Sequence, residues 1–295
     1  MNSTSLLLEY PWLQEFIDSG VSPALALANV QWLEKQEAIE FFLEDVLPKQ
    51  RQNIHLNSDG SRLQRQYSNL WDGFWAARPE LCPVPYVKPA QPRRDTERGR
   101  DIKYETPPGS QALPLFPVLP GHDWAGFDGA IAITEGLKKA LTLGGLGLPT
   151  LALRGVTQWH EKGCRELWPE LAAVVSGRVV YIAFDEDEKR KTRRDVSRQA
   201  LGLGKAIEAA GGFPRFMQWN SKAGKGIDDY MVGLAQPDRA GALESLKKYS
   251  LVLSQYQRKA TVALARSILD IVPPLPSILP RANISPPCQR SELGR

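Results

Sequence analysis

The sequence predicts a doubly wound α/β domain with a parallel sheet, preceded by a small helical or α+β lobe. From residue 129 onward, four short apolar segments that fit strands alternate with segments of helical spacing. The third of these segments, residues 178–184, is apolar on both faces, which is typical of a central parallel strand. Strands that alternate with helices in this way favour parallel pairing, because each crossover helix returns the chain to the end of the sheet at which the previous strand began.

The amino-terminal part of the chain is less regular. Apolar residues within 11–48 recur at helical spacing and predict two or three short amphipathic helices. Ser22 before Pro23 fits a helix N-cap followed by proline at the first helical position. Residues 50–120 are rich in proline and aromatic side chains, and we expect a small α+β or loop-rich lobe there.

The α/β region has four predicted strands, at residues 129–134, 149–155, 178–184 and 214–219. Helices are predicted at 137–143, 161–175 with an interruption near Pro169, 192–210, 240–249 and 251–270. We therefore divide the chain into four parts: a helical segment (1–50), a basic and aromatic lobe (51–125), the α/β domain (126–250), and a helix with a proline-rich disordered tail (251–295).

Composition narrows the class of protein. The chain has 295 residues, of which 42% are hydrophobic and 24% charged, the balance of an ordinary soluble protein. Apolar runs fall far short of the roughly 20 residues that cross a bilayer, and the start of the chain lacks the pattern of a secretory signal. Three widely spaced cysteines encode neither a zinc knuckle nor a disulfide framework. We expect a cytoplasmic protein with no membrane association.

Positive charge is concentrated in two places. The net charge is +4, and residues 251–295 alone account for it, so the rest of the chain is neutral. Residues 88–103 hold six cations and three acids in a stretch broken by proline and glycine. Such a stretch is commonly a solvated linker, and a phosphate-binding segment is the alternative.

Acidic residues follow three of the predicted strands. Glu135 follows the first strand, Asp185 and Asp187 the third, and Asp228 and Asp229 lie in the glycine-rich loop after the fourth. Active groups of open parallel sheets gather at the carboxyl ends of the strands. Carboxylates spaced in this way suit Mg²⁺ or Mn²⁺, although acids after strands also cap helices. Three such sites in one sheet favour metal binding.

These residues carry a family resemblance. The segments 133–136 (Ile-Thr-Glu-Gly) and 184–187 (Phe-Asp-Glu-Asp) resemble the Toprim domain shared by bacterial-type primases, topoisomerases and related nucleases. The loop 226–230 (Gly-Ile-Asp-Asp-Tyr) is similar to the glycine-and-acid loop of plasmid and phage primases, and 102–108 resembles the Lys-Tyr-x-x-x-Pro segment that precedes Toprim in them. The resemblance covers roughly residues 85–235.

The resemblance implies a Toprim-like fold and a primase-like, metal-dependent nucleotidyltransferase core that acts on single-stranded DNA in plasmid- or phage-type replication. Glu135, Asp185 and Asp187 would be catalytic metal ligands for Mg²⁺ or Mn²⁺, with Asp228 or Asp229 completing the set. Template and nucleoside triphosphate would be held by the following residues: Arg93, Arg94, Lys103, Tyr104 and Lys225.

The chain departs from the family pattern in two respects. It has no cysteine and histidine cluster for the zinc-binding module of a complete primase, and no Gly-x-x-x-x-Gly-Lys-Ser/Thr loop for a helicase. A separate replicative helicase is therefore an expected partner. Two other functions stay open: a Toprim-type metal-dependent nuclease, and a noncatalytic DNA-binding accessory protein of replication.

Overall fold

The computed structural model describes residues 7–44, 65–96 and 99–269. The predicted tail beyond residue 269, and the parts of the two amino-terminal segments that fall on residues 1–6 and 45–64, lie outside the described residues. None of the described helices is long and apolar enough to cross a membrane.

The amino-terminal lobe combines short helices with a small antiparallel sheet. Its elements are α1 (Gln14–Asp18), α2 (Pro23–Asn29), β1 (Val30–Leu33), α3 (Lys35–Leu43), β2 (Phe74–Ala77), β3 (Val87–Pro89), β4 (Arg94–Asp95) and β5 (Arg100–Asp101). Strands β1, β2 and β3 form one antiparallel sheet in that order, and β4 and β5 form a separate two-stranded ribbon. Ser22 caps α2 as predicted, with its hydroxyl accepting from the Leu25 N–H.

The second part of the chain forms the α/β domain. Its elements are β6 (Ile131–Glu135), α4 (Leu137–Gly145), β7 (Thr150–Leu153), α5 (Pro169–Val175), β8 (Val179–Ala183), α6 (Arg190–Ala209), β9 (Phe213–Phe216), α7 (Ile227–Val232), α8 (Arg239–Lys248), β10 (Leu251–Val252) and α9 (Leu253–Leu269).

One five-stranded sheet organises this domain, in the order β10-β9-β8-β6-β7. The four predicted strands pair in parallel, and β10 joins the edge antiparallel to β9. The fold class predicted from the sequence is therefore confirmed: a mostly parallel sheet with helices, preceded by a small mixed lobe. Strand β8, the predicted central strand, lies between β9 and β6, and β6 lies between β8 and β7 and is buried along most of its length.

Two local predictions were wrong. Trp32 and Leu33 belong to the apolar residues within 11–48 whose spacing predicted helices, but they end β1, where Trp32 pairs with Trp75 of β2. Aromatic and branched residues favour such cross-strand pairs. The helix predicted at 161–175, with an interruption near Pro169, forms only from Pro169 onward, and residues 161–168 are not helical. Trp159 and Trp168 fold into the core on either side of the turn that replaces the first half of the helix.

The lobe and the α/β domain share a hydrophobic core. Leu13 and Phe16 from the lobe pack in one buried cluster with Leu137 and Leu141 of α4. The Thr142 hydroxyl donates to the Ser19 carbonyl at 2.6 Å across the same interface. The lobe is therefore docked on the helix that follows the first strand of the sheet.

Helix α6 packs unusually close to the sheet. A Cβ added at Gly204 would lie 2.6 Å from Phe216 Cζ and 3.3 Å from Leu253 Cδ1. Phe216 is 1% exposed and its ring stacks on Tyr256, so it has little room to move. By contrast, a Cβ at Gly241 of α8 would meet no atom within 4 Å.

Alanine substitutions at these two glycines should therefore have opposite effects. Gly204→Ala should lower the free energy of unfolding by about 1–3 kcal/mol, because overpacking outweighs the gain in helix propensity. Gly241→Ala should raise it by about 0.5–1 kcal/mol. Urea denaturation measures both changes. Equal stabilisation by the two substitutions would show that α6 does not press on Phe216.

Candidate functional site

The acidic residues gather because two neighbouring strands end together. In the parallel pairing of β6 with β8, Thr134 is opposite Ala183. The Thr134 hydroxyl also donates to the Ala183 carbonyl at 2.7 Å. Glu135, the last residue of β6, is thereby placed beside the segment that carries Asp185 and Asp187. Acidic side chains therefore follow both neighbouring strands at the carboxyl edge of the sheet.

The glycine-rich loop after β9 folds back onto the same edge. The Glu186 N–H donates to the Lys225 carbonyl at 3.1 Å, and Trp219 Nε1 donates to the Gly224 carbonyl at 2.9 Å. These bonds place Asp228, in the first turn of α7, against the acidic edge. Asp229 is exposed and accepts from the Gly226 N–H at 3.1 Å, so it caps α7.

Gly226 makes this approach possible. A Cβ at this position would lie 2.3 Å from Asp228 Oδ1 and 2.8 Å from Lys139 Cε. No side chain fits between these two groups without displacing them. The glycine therefore allows the loop to lie directly on the side chains of Lys139 and Asp228.

Two lysines supply positive charge to the acidic edge. Lys139 Nζ lies 2.5 Å from Asp185 Oδ1, and both side chains are largely buried, at 17% and 18% exposure. Lys225 Nζ lies 3.1 Å from Asp187 Oδ2 and 4.0 Å from Asp185 Oδ2, and its side chain is 58% exposed. Lys139 is thus a built-in counter-charge, whereas Lys225 reaches the edge from solvent.

The electrostatics reflect this arrangement. Burial raises the pKa of Glu135, and the nearby Asp185 carboxylate raises it further against the opposing effect of Lys139 and Lys225. Burial also raises the pKa of Asp228, which lies near Lys139. The backbone N–H of Lys189 and then Lys225 lower the pKa of Asp187. Burial lowers the pKa of Lys139, but Asp185 and its acidic neighbours outweigh burial and leave the pKa raised.

Asp228 has a buried oxygen without a partner. Its residue is 7% exposed, and Oδ1 accepts no hydrogen bond from the described residues. A buried carboxylate oxygen in this condition is costly unless another group binds it. Within the described ranges, however, no three side chains of the His, Cys, Asp or Glu type converge into a ready-made metal centre. The lysines share the space between the carboxylates instead.

The lobe contributes an aromatic wall next to this edge. Tyr104 stacks on Tyr86 with ring centroids 5.1 Å apart and meets Trp75 edge to face. Burial raises the pKa of Tyr104, and Glu15, Asp228 and Glu135 raise it further, which places the phenol within the field of the acidic edge.

Glu15 of α1 ties the wall to the α/β domain. Its carboxylate accepts from Trp75 Nε1 at 3.1 Å and forms ion pairs with Lys88 at 2.5 Å and Lys138 at 3.0 Å. Lys88 belongs to β3 and Lys138 to α4, so a single carboxylate links three elements. All three charged side chains are less than one third exposed.

The cations predicted to hold phosphate are placed differently from one another. Arg93 donates twice to Glu105, at 2.7 and 3.0 Å, and lies over the Tyr67 ring. Arg94 pairs with Asp101 across the exposed β4-β5 ribbon at 3.2 Å. Lys103 is exposed. Glu105 is only 3% exposed, so Arg93 is part of the internal structure of the lobe.

Sequence reasoning missed Lys139 and Glu15. One signal was available for Lys139: it follows Glu135 by four residues in a segment that starts a helix, a spacing that places side chains on one face. No local pattern marks Glu15, because its partners lie 60 to 123 residues away along the chain.

Comparison with solved structures shows that the fold resembles that of a bacterial primase. The primase of Aquifex aeolicus, in a structure of its zinc-binding and RNA polymerase domains, superimposes with a TM-score of 0.51 at 15% identity, over 90% of this chain and 61% of the primase chain. The fold is primase-like. This primase-like chain spans about three fifths of the solved primase chain.

Other matches were found as well. The RNA polymerase domain of Mycobacterium tuberculosis primase DnaG, solved with a double-stranded DNA oligomer bearing a 6-nucleotide overhang, gives a TM-score of 0.48 at 15% identity, over 88% of this chain and 83% of that one. A family model described as a domain of unknown function, DUF3854, matches residues 126–237. An uncharacterised protein of Picosynechococcus is 28% identical over 78% of this chain, which spans about a quarter (27%) of that relative.

The three-element link through Glu15 yields a pH-dependent prediction. Glu15→Gln should lower the free energy of unfolding by about 1–3 kcal/mol at neutral pH, because it leaves two partly buried lysines without a counter-charge. Burial alone would raise the pKa of Glu15, but Lys88 and Lys138 outweigh it and hold the pKa below its usual 4.5. The stabilisation is therefore present above pH 4.5 and is lost as the pH falls through the folded-state pKa.

Chemical denaturation of parent and variant across this pH range measures the effect. The difference between them should be largest near neutrality and should shrink in acid. Glu166→Gln, at an exposed position, is the matched control and should change little. A constant difference at all pH values would mean that the carboxylate charge of Glu15 does not hold the lobe.

Proposed function

We propose that this chain is a primase-like, metal-dependent nucleotidyltransferase core that acts on single-stranded DNA in plasmid- or phage-type replication. One observation carries the proposal: Glu135, Asp185, Asp187 and Asp228 lie along the carboxyl edge of the parallel sheet in a primase-like fold. Active groups of open parallel sheets are expected at this edge. Nucleoside triphosphates are the proposed substrates, and a separate replicative helicase is a proposed partner in the cytoplasm.

The donor set fits Mg²⁺ or Mn²⁺. All candidate ligands are carboxylates, the hard oxygen donors that these ions prefer. The unpartnered Oδ1 of buried Asp228 is an oxygen that a cation would satisfy. Asp185, Asp187 and Asp228 would hold the ion together with Glu135. Such an ion would neutralise the triphosphate and favour displacement at its α-phosphate.

The lysines have different proposed roles. Lys139, buried and paired with Asp185, keeps that carboxylate in place and limits the negative charge of the edge. Lys225 is exposed enough to leave Asp187 and to contact a phosphate of the incoming nucleotide. Lys103 is available in the same way, whereas Arg93 would act on nucleic acid only by giving up Glu105.

The aromatic wall suits a base. Tyr104 stacks on Tyr86, and its phenol lies within the electrostatic influence of Asp228 and Glu135. Stacking of a nucleobase on an aromatic ring contributes about 1–3 kcal/mol and tolerates different base sequences. The wall and the acidic edge together would position a template base and a triphosphate on the same side of the sheet.

The noncatalytic alternative rests on one specific observation. Lys139 and Lys225 already balance part of the charge of the acidic edge without any metal ion. A cluster neutralised in this way can serve structure alone. A DNA-binding accessory protein of replication would keep the fold and the aromatic wall but would not need a cation.

Primer synthesis distinguishes these functions. Purified protein is incubated with single-stranded DNA, labelled nucleoside triphosphates and Mg²⁺ or Mn²⁺. New oligonucleotides support the proposed function, shortened DNA supports a Toprim-type nuclease, and binding without either product supports the accessory protein. Products that survive a chelator would contradict metal dependence.

Asp187→Asn is the sharpest variant for catalysis. It should abolish metal-dependent product formation while changing the free energy of unfolding by less than about 1 kcal/mol. The ion pair that is lost joins Asp187 to the exposed Lys225, and such a pair contributes little to stability. The amide oxygen of asparagine still accepts the Lys189 N–H that Asp187 accepts at 2.8 Å. Asp185 is less suitable, since its loss would leave Lys139 buried without its partner.

Thermal melts with and without Mn²⁺ complete this test. An ion that binds only the folded state raises the melting temperature. The parent should gain stability from Mn²⁺, Asp187→Asn should gain much less, and Asp195→Asn, an exposed carboxylate paired with Arg198, should behave like the parent. Loss of folding in Asp187→Asn without any metal effect in the parent would identify Asp187 as a structural cap.

A further inference from the structure

Helix α6 carries a stripe of cations on its solvent face. Its apolar face, which includes Leu203 and Ile207, is buried against the sheet. Four exposed cations lie on the opposite side at spacings of three, four and seven residues, which is the repeat of one helix face. We call these residues the α6 stripe: Lys191, Arg194, Arg198 and Lys205.

Three of the four cations of the α6 stripe form no ion pair with any described residue. Arg198 forms an exposed ion pair with Asp195 at 3.0 Å. Within the part of the chain that the structure describes, Lys191, Arg194 and Lys205 have no carboxylate partner. Like charges three or four residues apart on a helix repel one another weakly, so the stripe does not stabilise α6 itself.

The α6 stripe begins at the acidic edge. The Lys189 N–H, at the start of α6, donates to Asp187 Oδ1 at 2.8 Å. Lys191 follows within the first turn, and the stripe then runs to Lys205, about 21 Å along the helix axis at 1.5 Å per residue. This length matches about six phosphates of one nucleic-acid strand at 3.4 Å each.

We propose that the α6 stripe binds the phosphate backbone of a nucleic-acid strand whose end lies at the acidic edge. Cations aligned along a helix are the electrostatic footprint of nucleic-acid binding. A membrane-binding helix would instead insert an apolar face into lipid, and the apolar face of α6 is buried in the core. The inference rests on the proposed function only for what happens at the acidic edge.

The α6 stripe replaces a different path expected from the sequence. The basic segment 88–103 was the predicted phosphate-binding region, but its Arg93 is held by Glu105 and its Arg94 by Asp101. A strand bound to the stripe would pass along α6 and reach the acidic edge from the side of β8.

Binding measurements on a charge-matched pair of triple variants test the proposal. The stripe variant is Lys191→Gln, Arg194→Gln and Lys205→Gln, which keeps the Arg198–Asp195 pair. The control variant is Lys35→Gln, Lys247→Gln and Lys248→Gln, which removes the same charge from α3 and α8. The probes are a labelled single-stranded oligothymidylate and a labelled DNA duplex, followed by fluorescence anisotropy over a series of salt concentrations.

The stripe variant should bind the single strand at least tenfold more weakly than the parent at low salt. Its log–log salt slope should be smaller by about 2, since each single-strand phosphate contact contributes about 0.7. The control variant should keep most of the parent's slope. Equal slopes in the two variants, or no binding by the parent, would overturn the proposal.

Two further measurements separate the possible failures. The first is binding of parent and stripe variant to vesicles of anionic phospholipid. If the stripe variant binds these vesicles more weakly than the parent but binds DNA equally well, the partner is a membrane surface and the proposal is wrong. If the stripe variant loses nucleic-acid binding while the parent synthesises no oligonucleotide, the stripe stands and the proposed enzymatic function fails. If synthesis occurs and the stripe variant binds like the control, the stripe alone fails.

Discussion

Charge balance at the carboxyl edge of the sheet is the constraint on which the site depends. Four carboxylates lie along this edge, after β6, after β8 and in the first turn of α7, and all four are at least partly buried. Like charges in such a place repel one another and cost desolvation. The buried Lys139, 2.5 Å from Asp185, and the exposed Lys225, paired with Asp187, both reduce this repulsion. The two lysines therefore set how much room a further cation has.

The same edge explains why the lobe is attached where it is. Helix α4 carries Lys139 toward Asp185 and Lys138 toward Glu15 of the lobe. Arg154, just after β7, donates to the carbonyls of Leu113, Pro85 and Val84, so the end of the next strand also holds lobe segments. The aromatic wall at Tyr104 is thereby fixed relative to the carboxylates. Any function that uses both the aromatic wall and the acidic edge therefore depends on the contacts of α4 and Arg154 with the lobe.

The sheet and its acidic edge could be predicted from the sequence because both depend on local signals. Unbroken apolar runs identify buried parallel strands, and an acid directly after such a run must lie at the edge. Residues 161–168 and Trp32 were predicted wrongly, since helical spacing there competes with the burial of tryptophans in a core that only the whole fold creates. Glu15 and the engagement of Arg93 by Glu105 depend on contacts that no local pattern encodes, and for Lys139 the only local signal is its spacing from Glu135.

We propose that the acidic edge binds a cation and that Lys225 is its displaceable counter-charge. Titration of Mn²⁺, followed by electron paramagnetic resonance, tests it on the parent, on Lys225→Met and on the control Lys222→Met from the same loop. We expect saturable Mn²⁺ binding that tightens roughly two- to fivefold in Lys225→Met alone. In the parent, Mn²⁺ must displace Lys225 from Asp187, and an ion pair with an exposed lysine contributes about 0.2–1 kcal/mol. No saturable binding, or weaker binding in Lys225→Met, would contradict the proposal.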